Sequence, residues 1–130
     1  MMSVPAPANI EFLVQAVGDE VALAFVEQLA GQRIFVPRTA AGSRLETLYG
    51  IEIASALSSR YPQEMWNVPV CRDWRIRRYL EMGMTLNQIA ARVGVSLDAV
   101  GRSLRKPYRG QMVIRTGRPR YVDGRQIDMF

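Results

Sequence analysis

The chain has 130 residues, is 48% hydrophobic and carries a formal net charge of +5, with no histidine and one cysteine, Cys71. That length suits one compact domain or two very small ones, and the apolar share is enough to bury a core. A single cysteine excludes an intrachain disulfide framework and, with histidine absent, argues against a zinc site; any general base would have to be a carboxylate, Lys, Tyr or Cys.

The sequence contains no Gly-rich phosphate loop, nucleophile elbow or acidic metal cluster, so it reads as a non-enzyme with no cofactor. The charge is unevenly spread: residues 1–71 carry four Arg against seven acids, residues 72–109 nine basic side chains against three acids, and residues 110–130 four against two. A basic C-terminal half suits a polyanionic partner, with double-stranded DNA the expectation. Residues 1–10 lack the basic and apolar regions of a signal peptide, and no apolar run approaches the roughly 18 residues of a membrane helix. The expectation is a cytoplasmic protein with no membrane partner.

In chain order, the first feature is a repeat. GDEVALAFVEQLAGQRIFVP at 18–37 aligns without a gap on GIEIASALSSRYPQEMWNVP at 50–69, an offset of 32. Gly18 matches Gly50, Glu20 matches Glu52, Ala22 and Ala24 match Ala54 and Ala56, and Val36-Pro37 matches Val68-Pro69. Each copy reads as a helix followed by a short strand. Val17, Val21, Phe25 and Leu29 make one apolar helical stripe, widened by Ala24, and Ile53, Leu57 and Tyr61 make the other. Gly31 can end the first helix and Pro62 limits the second. The extended runs 33–36 and 65–68 are closed by Pro37 and Pro69, which cannot donate to a strand ladder. Two short helices and two short strands expose more apolar surface than they cover. The expectation is therefore that residues 1–69 form a dimerisation domain with Val21, Phe25, Leu29, Ile34, Ile53, Leu57 and Trp66 at the interface. Packing of the same stripes within one chain is the alternative.

After a linker at 70–72 comes a basic helix expected over 73–82, burying Trp74, Ile76 or Tyr79, and Leu80, and ended by Gly83. Arg72, Arg75, Arg77 and Arg78 lie on or beside it. They suit a helix running along a DNA backbone, with Arg75 and Arg78 the candidate contacts, or else a solvated face. LNQIAARVGVSLDAVGRSLR at 86–105 then has the spacing of a helix-turn-helix. Ala90 is small where a second helix must cross, Gly94 can take the positive φ of the turn, and Ile89, Val93, Val95, Val100 and Leu104 supply the apolar side. Thr85 with Gln88 forms a capping box, with Met84 and Ile89 as a staple; Ser96 caps the second helix, with Val95 and Val100 as its staple.

That second helix, ending at Lys106, is the expected reader of the major groove through Ser96, Leu97, Asp98, Gly101, Arg102, Arg105 and Lys106. Arg102 suits a bidentate contact to guanine, while Arg105 and Lys106 suit phosphate. Leu97 suits a thymine methyl or the helix junction. Asp98 suits cytosine or the positive end of the helix dipole. Gly101 marks either close approach of DNA or a tolerated weak point. In the tail at 107–130, Gly117-Arg118-Pro119-Arg120 lies between two apolar runs. It reads as the turn of a hairpin wing or as a minor-groove hook carrying Arg118 and Arg120.

The combination resembles the Mor family of transcription activators from Mu-like phages over residues 12–106. The resemblance rests on AGQRIFVP at 30–37, Gly50 with the helix after it, Val68-Pro69, and MGMTLNQIA at 82–90 leading to VGVS at 93–96. Ala30 and Pro62-Gln63 stand where the family favours glycines, and the tail lies outside the pattern. The resemblance implies a mainly α fold: an N-terminal helix–strand repeat as the dimerisation core and a C-terminal helix-turn-helix at 73–106. It also implies a homodimer with two recognition helices in successive major grooves, spaced by the strand at 65–68 and the linker after it, and recruitment of RNA polymerase at a promoter in a bacterial host. The other functional reading is a DNA-binding subunit of a larger packaging or recombination assembly.

Overall fold

A computed structural model describes residues 4–108 of the chain. The fold is mainly helical. Among the described residues there are six α-helices, α1 (Glu11–Leu29), α2 (Arg44–Tyr49), α3 (Ile51–Arg60), α4 (Arg72–Glu81), α5 (Leu86–Val93) and α6 (Leu97–Arg105), and two short strands, β1 (Arg33–Phe35) and β2 (Met65–Asn67). The chain divides into two compact units. One comprises residues 6–71; the other runs from Arg72 onward and includes Val4 and Pro5.

In the first unit, α1 is interrupted at Gly18, whose backbone (φ 86°, ψ 166°) is not helical. The buried face of α1 is Leu13, Ala22, Leu23, Phe25, Val26 and Leu29, whereas Val21 is 49% exposed. A strict four-residue row drifts around a helix by about 40° per step, because 3.6 residues make a turn. The stripe expected through Val17 and Val21 therefore slides off the core face, and Ala22 and Val26 take those places. On α3 the inward residues are Ile53, Ala54, Leu57 and Ser58.

Helix α2 carries one short apolar row, Leu45, Leu48 and Tyr49, of which only Leu45 is buried, and it lies outside the sequence expectations. It is fixed by its start: the Ser43 hydroxyl accepts from the Glu46 N–H at 3.1 Å, and the Glu46 carboxylate accepts from the Gly42 N–H at 2.6 Å. The first bond satisfies an N–H group that the helix start leaves free, and the second ties the residue ahead of the cap to the first turn. Helix α3 packs on both α1 and α2.

The strands pair antiparallel, with Ile34 opposite Trp66, flanked by Arg33 opposite Asn67 and Phe35 opposite Met65. Ile34 and Trp66 are 32 positions apart, so the ladder is centred on one residue and its aligned counterpart. Each strand is one residue shorter than expected, but the bonding continues: the Val36 N–H donates to the Glu64 carbonyl at 2.9 Å and the Val68 N–H to the Gln32 carbonyl at 2.8 Å. Trp66 is buried beneath the sheet and forms an aromatic cluster with Phe12 (centroids 6.1 Å apart) and Tyr61 (5.7 Å, stacked).

This packing corrects the expected interface. Phe25, Leu29, Ile53, Leu57 and Trp66 are buried within one chain and Ile34 is half-buried, leaving Val21 the one exposed member of that set. The stripes of the two halves have found each other through the β1–β2 pairing and the α1–α3 contact, so these faces are already covered without a partner chain.

In the second unit, α4, α5 and α6 pack on one another. Trp74, Ile76, Tyr79, Ile89, Val100 and Leu104 are fully buried, while Leu80 and Val93 are only half-buried. Helix α4 starts and ends one residue earlier than expected and is followed by Gly83.

Candidate nucleic-acid interface

Helices α5 and α6 are delimited by their own side chains. The Thr85 hydroxyl accepts from the Gln88 N–H at 3.1 Å while the Gln88 side chain accepts from the Thr85 N–H at 2.9 Å, a complete capping box. At the far end of α5, Gly94 adopts the left-handed conformation (φ 80°, ψ 36°), and both its N–H and that of Val95 donate to the Ala90 carbonyl. This double closure uses a carbonyl that the helix end would otherwise leave unpaired. The Ser96 hydroxyl accepts from the Ala99 N–H at 3.0 Å and opens α6. Ala90, Val100 and Leu104 are buried, so α6 presents one apolar side to α4 and α5 and its other side to solvent.

The solvent side of α6 holds Ser96, Leu97, Asp98, Arg102, Arg105 and Lys106, all exposed, with Gly101 half-buried among them. Leu97 is 48% exposed, so it is not absorbed by the helix junction. Arg105 folds back along the helix: a Cβ placed on Gly101 would lie 3.1 Å from Arg105 Nη1. Lys106 Nζ lies 3.6 Å from Asp73 Oδ2 and remains largely accessible. One short basic helix face, bearing an apolar residue and an acid at its N-terminal end, is thus brought together as the sequence suggested.

Helix α4 does not contribute in the expected way. Arg75 and Arg78 are only 5% and 7% exposed, which corrects their assignment as backbone contacts. All six residues from Trp74 to Tyr79 are buried, covering every side of the helix and leaving no accessible basic stripe there. The Arg78 guanidinium is held by Glu81 (Nη1 to Oε1, 3.0 Å), and Glu81 also accepts from the Val4 N–H at 3.0 Å. Arg77, 2% exposed, donates to main-chain carbonyls rather than to solvent. Burial pulls its guanidinium below the usual value, opposed by the charge of Asp73 and by Tyr108. Arg72 remains exposed at the start of the helix.

Arg92, which the sequence did not single out, is exposed on α5 with its guanidinium 5.2 Å from the centre of the Tyr79 ring. Its signal was present in the last-turn position of α5, where a cation suits the helix dipole. Arg118 and Arg120, with the hairpin and hook readings of the tail, lie outside the described residues.

Among the described residues there is no cluster of three or more potential metal ligands, and no helix is long and apolar enough to cross a membrane. Comparison with known proteins finds no family model, curated protein or solved structure that matches the chain.

Proposed function

We propose that the chain is a sequence-specific DNA-binding transcription regulator, an activator of the Mor type acting on phage or prophage promoters, in which α5, Gly94 and α6 form a helix-turn-helix and α6 enters the major groove. The observation that carries this reading is the α5–α6 corner. Two short helices, each capped by its own hydroxyl, meet at a left-handed glycine beside buried Ala90, and the outer face of the second is basic and exposed. A corner of this kind holds a recognition helix at a fixed angle on a rigid support. In this reading Arg102 reads a base edge, Arg105 and Lys106 hold phosphate, and Leu97 meets a thymine methyl.

The homodimer is part of the same proposal, on a different surface from the one the stripes suggested. The outward face of the sheet carries the cross-strand neighbours Phe35 and Met65, 56% and 48% exposed. An adjacent apolar pair of that size on a small unit is the kind of surface a second copy covers. RNA polymerase as a further partner and a place in the host cytoplasm rest on the Mor resemblance alone.

Selection of bound sites from a random duplex pool tests the function, run at about physiological salt, where unspecific phosphate binding is weak. The expected result is a two-part symmetric site with half-sites about one helical turn apart, together with a dimeric mass in sedimentation that Phe35→Asp converts to a monomer. Binding without sequence enrichment that vanishes as salt rises would overturn the regulator. Rings of more than two copies would favour a packaging or recombination subunit.

A further inference from the structure

Among the described residues of the second unit Arg77 is the most buried cation, and its two Nη groups are spent where α4 meets the end of α6. Nη2 donates to the Ser103 carbonyl at 2.8 Å and to the Lys106 carbonyl at 2.9 Å, while Nη1 donates to the Asp73 carbonyl at 3.2 Å and to Ser103 Oγ at 3.4 Å. Ser103 and Lys106 belong to the last turn and C-cap of α6. A helix leaves its last carbonyls without intrahelical partners, and a cation there also meets the negative end of the dipole. The same turn is tied a second time: Ser103 Oγ donates to the Asp73 carboxylate in a short bond, and Lys106 Nζ lies 3.6 Å from the other oxygen of that carboxylate. On the far side the Arg77 guanidinium lies 4.7 Å from the centre of the Tyr108 ring, whose hydroxyl donates to the Pro5 carbonyl at 2.7 Å. Asp73 and Arg77, one turn apart on α4, thus grip the C-terminal end of α6 from both sides of Ser103.

We propose that Arg77 is a positioning residue: with Asp73 it clamps the C-terminal turn of α6 to α4, sets the tilt of the exposed α6 face, and touches no phosphate. The inference rests on the DNA-reading proposal for its functional consequence, though the clamp itself does not require DNA. Arg77 occupies the place in the sequence where a run of four arginines reads as a backbone-binding stripe, and the geometry gives it the opposite task. A planar fork is needed because two carbonyls and a hydroxyl must be reached at once, which a lysine ammonium on its flexible stem does not reproduce. Arg102 and Arg105 sit on either side of Ser103, so a change of tilt at that turn displaces both from a base edge. Displacements of about 1 Å at a recognition group cost on the order of tenfold or more.

The test uses full-length protein carrying Arg77→Lys, the site selected by the unaltered protein, and a scrambled duplex of equal length. In the free protein, hydrogen exchange of the last-turn amides of α6 should quicken about tenfold while the circular dichroism stays that of a folded chain. Affinity for the scrambled duplex and its salt slope should hold within about twofold, while the preference for the selected site falls about tenfold or more. Weakening by the same factor on both duplexes, with the preference for the selected site kept, would show a phosphate contact and overturn the clamp; lysine keeps the charge, so the salt slope stays in either case. Unchanged exchange and unchanged preference would overturn it as well. If Arg77→Lys fails to fold, Ser103→Ala, which removes the hydroxyl bonds to Asp73 and Arg77 and leaves the carbonyls in place, decides by the same readouts with changes of about threefold. If the unaltered protein selects no site, the DNA reading falls and the exchange experiment still decides the clamp.

Discussion

Gly50 and Gly94 each stand between two helices with a positive φ, yet they do different jobs. Gly94 (φ 80°, ψ 36°) is in the left-handed region, closes α5 by donating to the Ala90 carbonyl, and is followed at once by the Ser96 cap. Gly50 (φ 95°, ψ 160°) is in an extended left-hand region reserved for glycine and joins α2 directly to α3, as Gly18 (φ 86°, ψ 166°) joins the two parts of α1. The corner of the second unit is therefore a local device, made by residues within a few positions of one another. The junctions of the first unit are imposed by what packs around them: α1 on α3, β1 on β2, and the aromatic cluster of Phe12, Tyr61 and Trp66.

The largest expected effect probes whether the units stand apart energetically. Leu57 is fully buried in the first unit, and Leu57→Ala should cost about 2–5 kcal/mol by transfer and cavity terms. The chain has two tryptophans, Trp66 in the first unit and Trp74 in the second, so each unit carries its own fluorophore. In urea, with Trp74→Phe as background, the Trp66 transition should move down by the full amount. With Trp66→Phe as background, the Trp74 transition should stay within about 0.5 kcal/mol. Coincident movement of both would merge the units into one cooperative block and erase the distinction.

The glycines sharpen it next. Gly50→Ala should cost about 1–3 kcal/mol and Gly94→Ala about 1–2 kcal/mol. The more telling contrast is asparagine, which tolerates the left-handed region but not the extended one: Gly94→Asn should recover most of the loss and Gly50→Asn almost none. A Cβ at Gly94 meets nothing within 4 Å and one at Gly50 meets only Glu52 Oε1 at 3.6 Å, so the cost in both is conformational and not steric. Thermal unfolding of the four variants checks this, and equal rescue at both positions would show the junctions to be alike.

Arg102→Ala separates binding from folding. The side chain is exposed on α6, so stability should change by no more than about 0.5 kcal/mol, while affinity for the selected site should fall by about 1–3 kcal/mol and discrimination at one base position relax. Footprinting and competition with single-base variants of the site measure this. An unchanged base preference would take base reading away from Arg102 and leave it a phosphate ligand.

How much of this was legible follows from the same contrast. Thr85 with Gln88, Gly94 and Ser96 were readable because capping chemistry acts over three or four residues and leaves its signature in the sequence. The strand positions were readable to within a residue for a similar reason, since Pro37 and Pro69 stop them. Which face of α1 turns inward was not, because a four-residue row only approximates the helical period and the Gly18 break resets the phase. The fate of Phe25, Leu57 and Trp66 depended on whether the two aligned halves meet within one chain, and no local signal states that. The burial of Arg75, Arg77 and Arg78 was not legible, because charge alone does not reveal whether a guanidinium faces solvent or is taken inside, as Arg78 is beside Glu81 and Arg77 on the carbonyls of α6.

Gly101→Ala carries the smallest effect and the most direct question about the exposed face. Glycine inside a helix is less stable than alanine by about 0.5–1 kcal/mol, so the substitution should raise stability by up to that amount. The space permits it at modest cost: the new Cβ would come within 3.1 Å of Arg105 Nη1, the far end of a flexible side chain that can swing aside. Stability and binding then point in opposite directions. If glycine is there because DNA comes close to the backbone at Gly101, beside Arg102 and Arg105, the stabilised protein binds its selected site more weakly. It also loses the folded-back position of Arg105. If binding is untouched while the melting temperature rises, the glycine is a tolerated weakness and the groove is read from the Leu97 and Arg102 positions without close approach at Gly101.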